Sequence, residues 1–152
     1  ARAAIVAMNP ILGVDFGRSR IGVAISDELR FLAHPLETIP AGKNAMDRIT
    51  AIVRERKIEV VVVGAPRNMD GTLGAASDET MKFVEKLRSA VSCNVVTWDE
   101  RLTTVAANRA LREAGKKTRE TRSYVDQVAA QMILQGFLDR QQEVAPVASE
   151  QQ

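Results

Sequence analysis

Residues 11 to 26 read Ile-Leu-Gly-Val-Asp-Phe-Gly-Arg-Ser-Arg-Ile-Gly-Val-Ala-Ile-Ser. Two apolar runs flank a short polar segment that contains Gly17, a pattern that predicts two strands, at 11–15 and 20–26, joined by a tight turn. Strands this close in sequence leave no room for a crossover helix, so they must pair antiparallel. Asp15 ends the first of them, and the hairpin therefore presents a carboxylate from a rigid strand.

The rest of the chain alternates between helical and extended patterns. We predict strands at 35–39, 59–64 and 94–98, and helices at 45–56, 78–90, 103–114 and 124–138. The four valines at 60–63 lack alternation, which is typical of a strand buried on both faces of a sheet. Strands four and five each follow a helix, so right-handed crossovers can place them parallel to the first. The prediction is an α/β fold with a mixed five-stranded sheet, strands one to three antiparallel, flanked by helices.

The composition of the 152-residue chain fits one soluble domain, which we place at 10–140 after an extension at 1–9. Residues 141–152 show no apolar periodicity and are predicted to be a disordered tail. One cysteine, Cys93, excludes an internal disulfide and is compatible with the cytoplasm. One cysteine and one histidine also exclude the usual zinc sites, so any metal must be held by oxygen ligands, as Mg²⁺ or Mn²⁺ is.

Basic residues are concentrated between positions 101 and 122. This segment carries seven lysines and arginines against two acids, an excess of about five positive charges, whereas the whole chain has a net charge of +2. Such an excess indicates either a solvent-exposed helix face and loop or a surface that attracts phosphate backbones. We favour contact with nucleic acid. The basic residues are Arg101, Arg109, Arg112, Lys116, Lys117, Arg119 and Arg122.

Acidic residues follow the predicted strands at positions that bring them together. The carboxyl ends of parallel strands meet at one edge of a sheet, where Asp15 and the pair Asp99 and Glu100 then lie. Strand alternation puts Asp99 and Glu100 on opposite faces, so only one of them can serve a shared site. Asp15 could instead cap a turn. Burying an unpaired carboxylate is costly, however, which favours a metal ligand.

Three further groups of residues admit two interpretations each. Ser123-Tyr-Val-Asp126 matches a capping pattern, in which an acid three residues after a serine accepts hydrogen bonds from the free amides at a helix start. Asp126 could instead face the strand ends as a third metal ligand. Arg18 and Arg20 in the first hairpin could pair with surface acids or could bind phosphate. Asn68 and Asp70 could form a plain turn or could line the cleft.

The motifs Asp15-Phe-Gly, Arg20-Ile-Gly-Val-Ala, Val63-Gly-Ala-Pro-Arg-Asn-Met-Asp-Gly-Thr, Asp99-Glu-Arg-Leu-Thr-Thr and Asp126-Gln-Val-Ala-Ala are together similar to the YqgF/RuvX family. These proteins are relatives of Holliday junction resolvases and are provisionally named pre-16S rRNA nucleases. The resemblance covers about residues 10 to 138 and departs from the pattern where Ala65 replaces the usual leucine, a packing change.

The resemblance implies a ribonuclease-H-like fold and a divalent-metal nuclease that matures the 5′ end of 16S rRNA, with Holliday junction resolution as the alternative activity. It selects Glu100 over Asp99, so that the catalytic and metal-binding residues are expected to be Asp15, Glu100 and Asp126. The expected partners are pre-16S rRNA or branched DNA, and ribosomal particles, without a membrane, for a monomer or a homodimer. The expected substrate-binding residues are Arg18, Arg20, Asn68, Asp70, Arg101, Lys116, Lys117, Arg119 and Arg122.

Two competing functions belong to other classes. A hairpin with Asp-Phe-Gly and Arg-Ile-Gly-Val also suits the phosphate-binding lobe of an actin-like sugar kinase or ATPase, but those enzymes need two such lobes. A non-catalytic nucleic-acid-binding module with a decayed site is the second, and the presence of all three acids argues against it. No Cys-His or Ser-His arrangement suggests a side-chain nucleophile, which fits cleavage by water at a metal centre.

Overall fold

The computed structural model describes residues 8–66, 74–100 and 119–149. The predicted helix at 103–114 lies outside these residues, as do Asn68, Asp70, Arg101, Lys116 and Lys117. The described elements, in chain order, are β1 (Ile11–Phe16), β2 (Arg20–Ser26), β3 (Ala33–Pro40), α1 (Ala45–Glu55), β4 (Val60–Ala65), α2 (Ala75–Ala90), β5 (Asn94–Asp99) and α3 (Arg119–Ser149).

The five strands form one mixed sheet in the order β3-β2-β1-β4-β5. β1 lies at its centre, antiparallel to β2 and parallel to β4, and β5 continues the parallel half beyond β4. β3 pairs antiparallel with β2 and forms the opposite edge. The predicted strand arrangement is therefore confirmed, and the carboxyl ends of β1, β4 and β5 share one edge of the sheet.

Each face of the sheet buries a separate apolar core. Val61 and Val63 belong to the core covered by α1 and α2, whereas Val62 belongs to the core covered by α3. The unbroken valine run follows from this burial of β4 on both faces. Leu134 and Leu138 of α3 are fully buried, and each stabilises the fold by about 1.5–3 kcal/mol relative to an exposed side chain.

α3 is longer than the sequence predicted. It begins at Arg119 rather than near residue 124, so Ser123 lies inside the helix and does not cap its first turn. It also continues to Ser149, and residues 141–149 are helical where the composition predicted a tail without regular structure. At the N-terminal end, Arg119, Glu120 and Arg122 are good helix formers. Helix propensity does not explain the C-terminal extension, because that segment contains Pro146.

α3 approaches the sheet closely because three strand positions facing it are glycines. A Cβ atom on Gly13 would lie 2.7 Å from Cβ of Leu134 and 3.0 Å from the carbonyl oxygen of Ala130. A Cβ atom on Gly22 would overlap the carbonyl oxygen of Asp126, and one on Gly64 would overlap the side chain of Ile133. The missing side chains thus allow the helix backbone to lie directly on the sheet.

None of the helices in the described part of the chain is long and apolar enough to cross a membrane.

Cys93 is half-buried against the core under α1 and α2, and this burial raises the pKa of its thiol. The thiol is therefore protonated, and weakly nucleophilic, at neutral pH.

Candidate active site

Three acidic side chains are buried near the carboxyl edge of the parallel strands. Asp15 comes from β1, Glu100 directly follows β5 and Asp126 comes from α3. Their exposed fractions are 4%, 4% and 5%, although each residue carries an ionisable side chain. Each of the three has an interaction partner within the fold. Burial this deep is costly for a carboxylate unless other groups compensate its charge. Buried carboxylates with such compensation are common at functional sites.

Asp15 faces α3. In the antiparallel pairing of β1 with β2, Asp15 lies directly opposite Gly22, and side chains at opposite positions project from the same face. The side that a Gly22 side chain would occupy is the side on which the backbone of Asp126 lies. The carboxylate of Asp15 therefore projects toward the turn of α3 that carries Asp126.

Glu100 lies on the same side of the sheet. One of its carboxylate oxygens, Oε2, is 2.8 Å from the position that a Cβ atom of Gly64 would take. Gly64 pairs with Trp98, which packs in the core under α3, whereas Asp99 pairs with Ala65. The geometry thus favours Glu100 over Asp99 as the neighbour of Asp15, in agreement with strand alternation.

An ion pair joins Arg20 to Asp126. The guanidinium Nε of Arg20, the first residue of β2, donates a hydrogen bond of 2.5 Å to Oδ2 of Asp126. The Asp126 side chain is 7% exposed, while that of Arg20 is 36% exposed. The Arg20 guanidinium is therefore partly exposed to solvent while it binds one of the three buried acids.

Arg18 pairs elsewhere. Its Nε donates to Oε2 of Glu79 at 3.0 Å and its Nη2 donates to Oε1 at 2.5 Å, a two-point contact with α2. The hydrogen bond with Glu79 raises the pKa of Arg18 above its ordinary value. Of the two interpretations of the hairpin arginines, the surface ion pair describes Arg18, whereas Arg20 contacts a candidate metal ligand.

The donor chemistry of this site fits a hard divalent cation, because all three side chains offer carboxylate oxygens. Within 8–66, 74–100 and 119–149, however, no three acidic, histidine or cysteine side chains are grouped closely enough to hold one metal ion. One of the three carboxylates, that of Asp126, is instead paired with Arg20. Binding of one ion by all three carboxylates would therefore require their side chains to rearrange.

Comparison with known sequences identifies the family. The model of the family described as "RuvX: Holliday junction resolvase" matches residues 9–140. This chain belongs to the RuvX family. Two relatives, both provisionally named pre-16S rRNA nuclease, come from Acetivibrio thermocellus and Bacillus cereus strain AH187. They are 47% and 44% identical to this RuvX protein over 85% and 86% of its length, and over 94% and 98% of their own.

Comparison with solved structures identifies the fold. RuvC of Thermus thermophilus superposes with a TM-score of 0.54 at 12% identity, over 88% of this RuvX protein and 96% of RuvC. A structure of T. thermophilus RuvC in complex with a Holliday junction substrate gives 0.53 at 14% identity, over 88% and 95%. At these identities the likeness concerns the fold alone, and it is the ribonuclease-H-like fold that the resemblance implied.

The structure describes some of the expected substrate-binding residues of the RuvX protein only by position. Arg119 and Arg122 lie in the first turns of α3, on the N-terminal side of Asp126. Asn68, Asp70, Arg101, Lys116 and Lys117 lie outside the described residues, so their roles stay predictions.

Sequence reasoning missed Gly22 and Gly64, whose lack of a side chain makes room for Asp126 and Glu100. An isolated glycine inside a strand pattern signals close approach of another backbone, and both positions carry that signal. The contact of Arg20 with Asp126 joins residues 106 positions apart, and no sequence pattern indicates it.

Proposed function

We propose that this chain is a divalent-metal-dependent nuclease that processes the 5′ end of pre-16S rRNA in the cytoplasm. The observation that carries the proposal is the burial of three carboxylates at one edge of a ribonuclease-H-like sheet. The chain also belongs to the RuvX family, and relatives 44% to 47% identical over most of its length carry the pre-16S rRNA nuclease name.

Asp15, Glu100 and Asp126 would hold Mg²⁺ or Mn²⁺. A divalent ion held there would lower the pKa of water, so that hydroxide forms at neutral pH, and would stabilise negative charge on a phosphodiester. Asp15 lies in β1 and Glu100 directly follows β5, while Gly64 leaves space for the Glu100 carboxylate. The sheet thus delivers two of the three acids to the same edge.

Basic side chains around this edge would bind the phosphates on either side of the cleaved bond. Arg20 lies beside Asp126, and Arg18 is exposed on the same hairpin. Arg101, Lys116, Lys117, Arg119 and Arg122 would supply further phosphate contacts, and Asn68 and Asp70 would contact the substrate. Contacts of this kind position a strand without reading its sequence.

Cleavage of branched DNA is the second candidate function. The description of the matching family model names Holliday junction resolvase, and the fold is shared with RuvC. A symmetric junction has two strands to cut, so this activity would require a dimer with two sites. The two functions use the same acids and differ in the substrate.

The deciding experiment offers the purified protein a 5′-extended 16S rRNA precursor and, separately, a four-way DNA junction. Each is incubated with Mg²⁺, with Mn²⁺ or with chelator. Asp15→Asn tests the buried acid, and Asp47→Asn is the matched control, because Asp47 is an exposed acid on α1 away from the candidate site. Circular dichroism melts verify that both variants are folded.

We expect metal-dependent cleavage of the RNA at a defined position, lost in Asp15→Asn and kept in Asp47→Asn. Symmetric nicking of the junction without RNA cleavage would establish the second candidate instead. If neither free substrate is cut, precursor ribosomal particles replace the free RNA. Absence of metal-dependent cleavage on those as well would reject both functions.

A further inference from the structure

The ion pair between Arg20 and Asp126 occupies a carboxylate that the proposed function assigns to a metal ion. The contact is short, 2.5 Å from Nε to Oδ2, and its acidic partner is almost fully buried. A buried carboxylate without a cation is costly, so in the metal-free protein Arg20 compensates the charge of Asp126.

The charges of the site make Arg20 and a divalent ion competitors. With Arg20 in place, the three acids and the arginine carry a net charge of minus two. A divalent cation placed among the acids would lie close to a like charge in a region of low dielectric, where repulsion is strong. Moreover, in this conformation no three acidic, histidine or cysteine side chains within the described residues could hold a metal ion together.

The side-chain exposure of the pair gives the arginine a route away from Asp126. Arg20 is 36% exposed and stands at the start of an edge-proximal strand, next to the turn of the β1–β2 hairpin. Its guanidinium can therefore turn toward solvent without opening the core. A planar guanidinium that faces solvent beside a nuclease site is well suited to two-point contact with a phosphate.

We propose that Arg20 is an exchangeable counter-ion: it holds Asp126 in the metal-free protein and yields this carboxylate when a divalent ion binds, after which its guanidinium contacts a substrate phosphate. This inference rests on the proposed function and deepens it. It makes Arg20 a positioning residue for the metal-free site and a binding residue for the substrate.

A different role would be that of a fixed partner, in which Arg20 orients Asp126 for the metal and never leaves it. The two roles predict opposite effects on metal affinity. Removing a competing cation should tighten metal binding, whereas removing an orienting partner should weaken it, typically by 10- to 100-fold. Metal affinity measured without nucleic acid therefore separates the two roles.

The experiment titrates Mn²⁺ into the wild-type protein, Arg20→Gln and Arg18→Gln by isothermal calorimetry and by electron paramagnetic resonance of the free ion. Arg18→Gln is the matched control for metal affinity, because it removes an arginine of the same hairpin whose partner is Glu79. We expect the dissociation constant to fall several-fold, on the order of tenfold, in Arg20→Gln and to stay unchanged in Arg18→Gln.

Melting temperatures and cleavage rates of Arg20→Gln test the proposal independently of the Mn²⁺ titrations. Without metal, Arg20→Gln should melt at a lower temperature than the wild type, because Asp126 loses its cation. With Mn²⁺ its melting temperature should rise by more than that of the wild type, since tighter binding stabilises the folded state more. Cleavage should nevertheless fall, because the phosphate contact is lost.

Weaker or equal Mn²⁺ binding in Arg20→Gln would overturn the inference, as would absence of Mn²⁺ binding to the wild type. Mn²⁺ binding with the expected affinity order, but without cleavage of any substrate, would reject the proposed nuclease and leave the counter-ion exchange standing. If Arg20→Gln does not fold, Arg20→Lys decides the question. A lysine keeps the charge without the planar fork and should hold Asp126 less firmly, so a smaller fall in the dissociation constant is expected.

Discussion

Arg18 and Arg20 are two positions apart in the β1–β2 hairpin, and their different environments give the same side chain different consequences. Arg18 and Glu79 are both solvent-exposed, and exposed ion pairs contribute little to stability. Arg20 faces a carboxylate that is 7% exposed, where loss of one partner leaves a charge buried. Burial of the acid, rather than the presence of an arginine, therefore distinguishes the two pairs.

Asp99 and Glu100 provide a matched pair of neighbouring acids for testing the site at this scale. Glu100→Gln should lower the rate of RNA cleavage by about 100-fold or more. Substituting a residue that only orients a metal ligand typically lowers activity 10- to 100-fold, and loss of the ligand itself should cost at least as much. Asp99→Asn should keep most of the activity, since Asp99 faces away from α3. Single-turnover cleavage rates measure both.

The opposite ranking, with Asp99→Asn the inactive variant, would contradict the assignment of Glu100. Melting curves of the two variants serve as the control for folding. Equal loss of activity in two folded variants would also contradict the assignment, because only one of the two acids can face the site.

At the scale of secondary-structure elements, the close approach of α3 to the sheet depends on the glycines that face it. Gly64 is the most informative of them, because the atom nearest to its missing Cβ is the terminal methyl of Ile133, the end of a flexible side chain. Gly64→Ala should lower the free energy of unfolding by roughly 1–3 kcal/mol, the usual cost of overpacking. Urea denaturation measures this change.

A second substitution makes that prediction specific to the helix–sheet contact. Ile133→Val removes the terminal methyl that would collide with the new Cβ atom of Gly64→Ala, and by itself it should cost about 0.5–1.5 kcal/mol. The double variant should lose less unfolding free energy than the sum of the two single losses, by a coupling energy of at least about 0.5 kcal/mol. Simple additivity would show that the collision is not the cause, and that the Glu100 carboxylate, also near Gly64, dominates.

The sequence predicted the elements well where the apolar pattern was strong and the ends were marked. β2 has the predicted limits, and β1, β4 and β5 differ from them by one residue at most at each end. α3 was predicted less well, because Ser123 and Asp126 form a capping pattern that the structure does not use. Good helix formers at 119–122 extend the helix ahead of this local pattern.

The candidate site was predictable in its acids and unpredictable in its connections. Parallel strand ends and strand alternation are local rules, and they placed Asp15 at one edge with either Asp99 or Glu100. The family resemblance then selected Glu100. The pairing of Arg20 with Asp126 depends on how α3 lies across β2, a contact between distant parts of the chain. Tertiary contacts of this kind require the assembled fold.

For the molecule as a whole, Leu138 is the last α3 residue in the described apolar core, and the family match ends at residue 140. Ending the chain after Arg140 should therefore preserve the fold and change the free energy of unfolding by less than about 1 kcal/mol, as is usual for changes away from the core. Urea denaturation and the RNA cleavage assay compare the shortened and full chains. A loss of more than about 2 kcal/mol would show that the last turns of α3 contribute to the packed structure.

The position of Asp126 in α3 also sets an order in which the proposed site can be assembled. During translation the hairpin with Asp15 emerges first and Glu100 later, and the third acid follows with the helix that covers its face of the sheet. A nascent chain therefore lacks the proposed third carboxylate until α3 has left the ribosome. Under the proposed function, the chain would be unable to cut ribosomal RNA before that point in its synthesis.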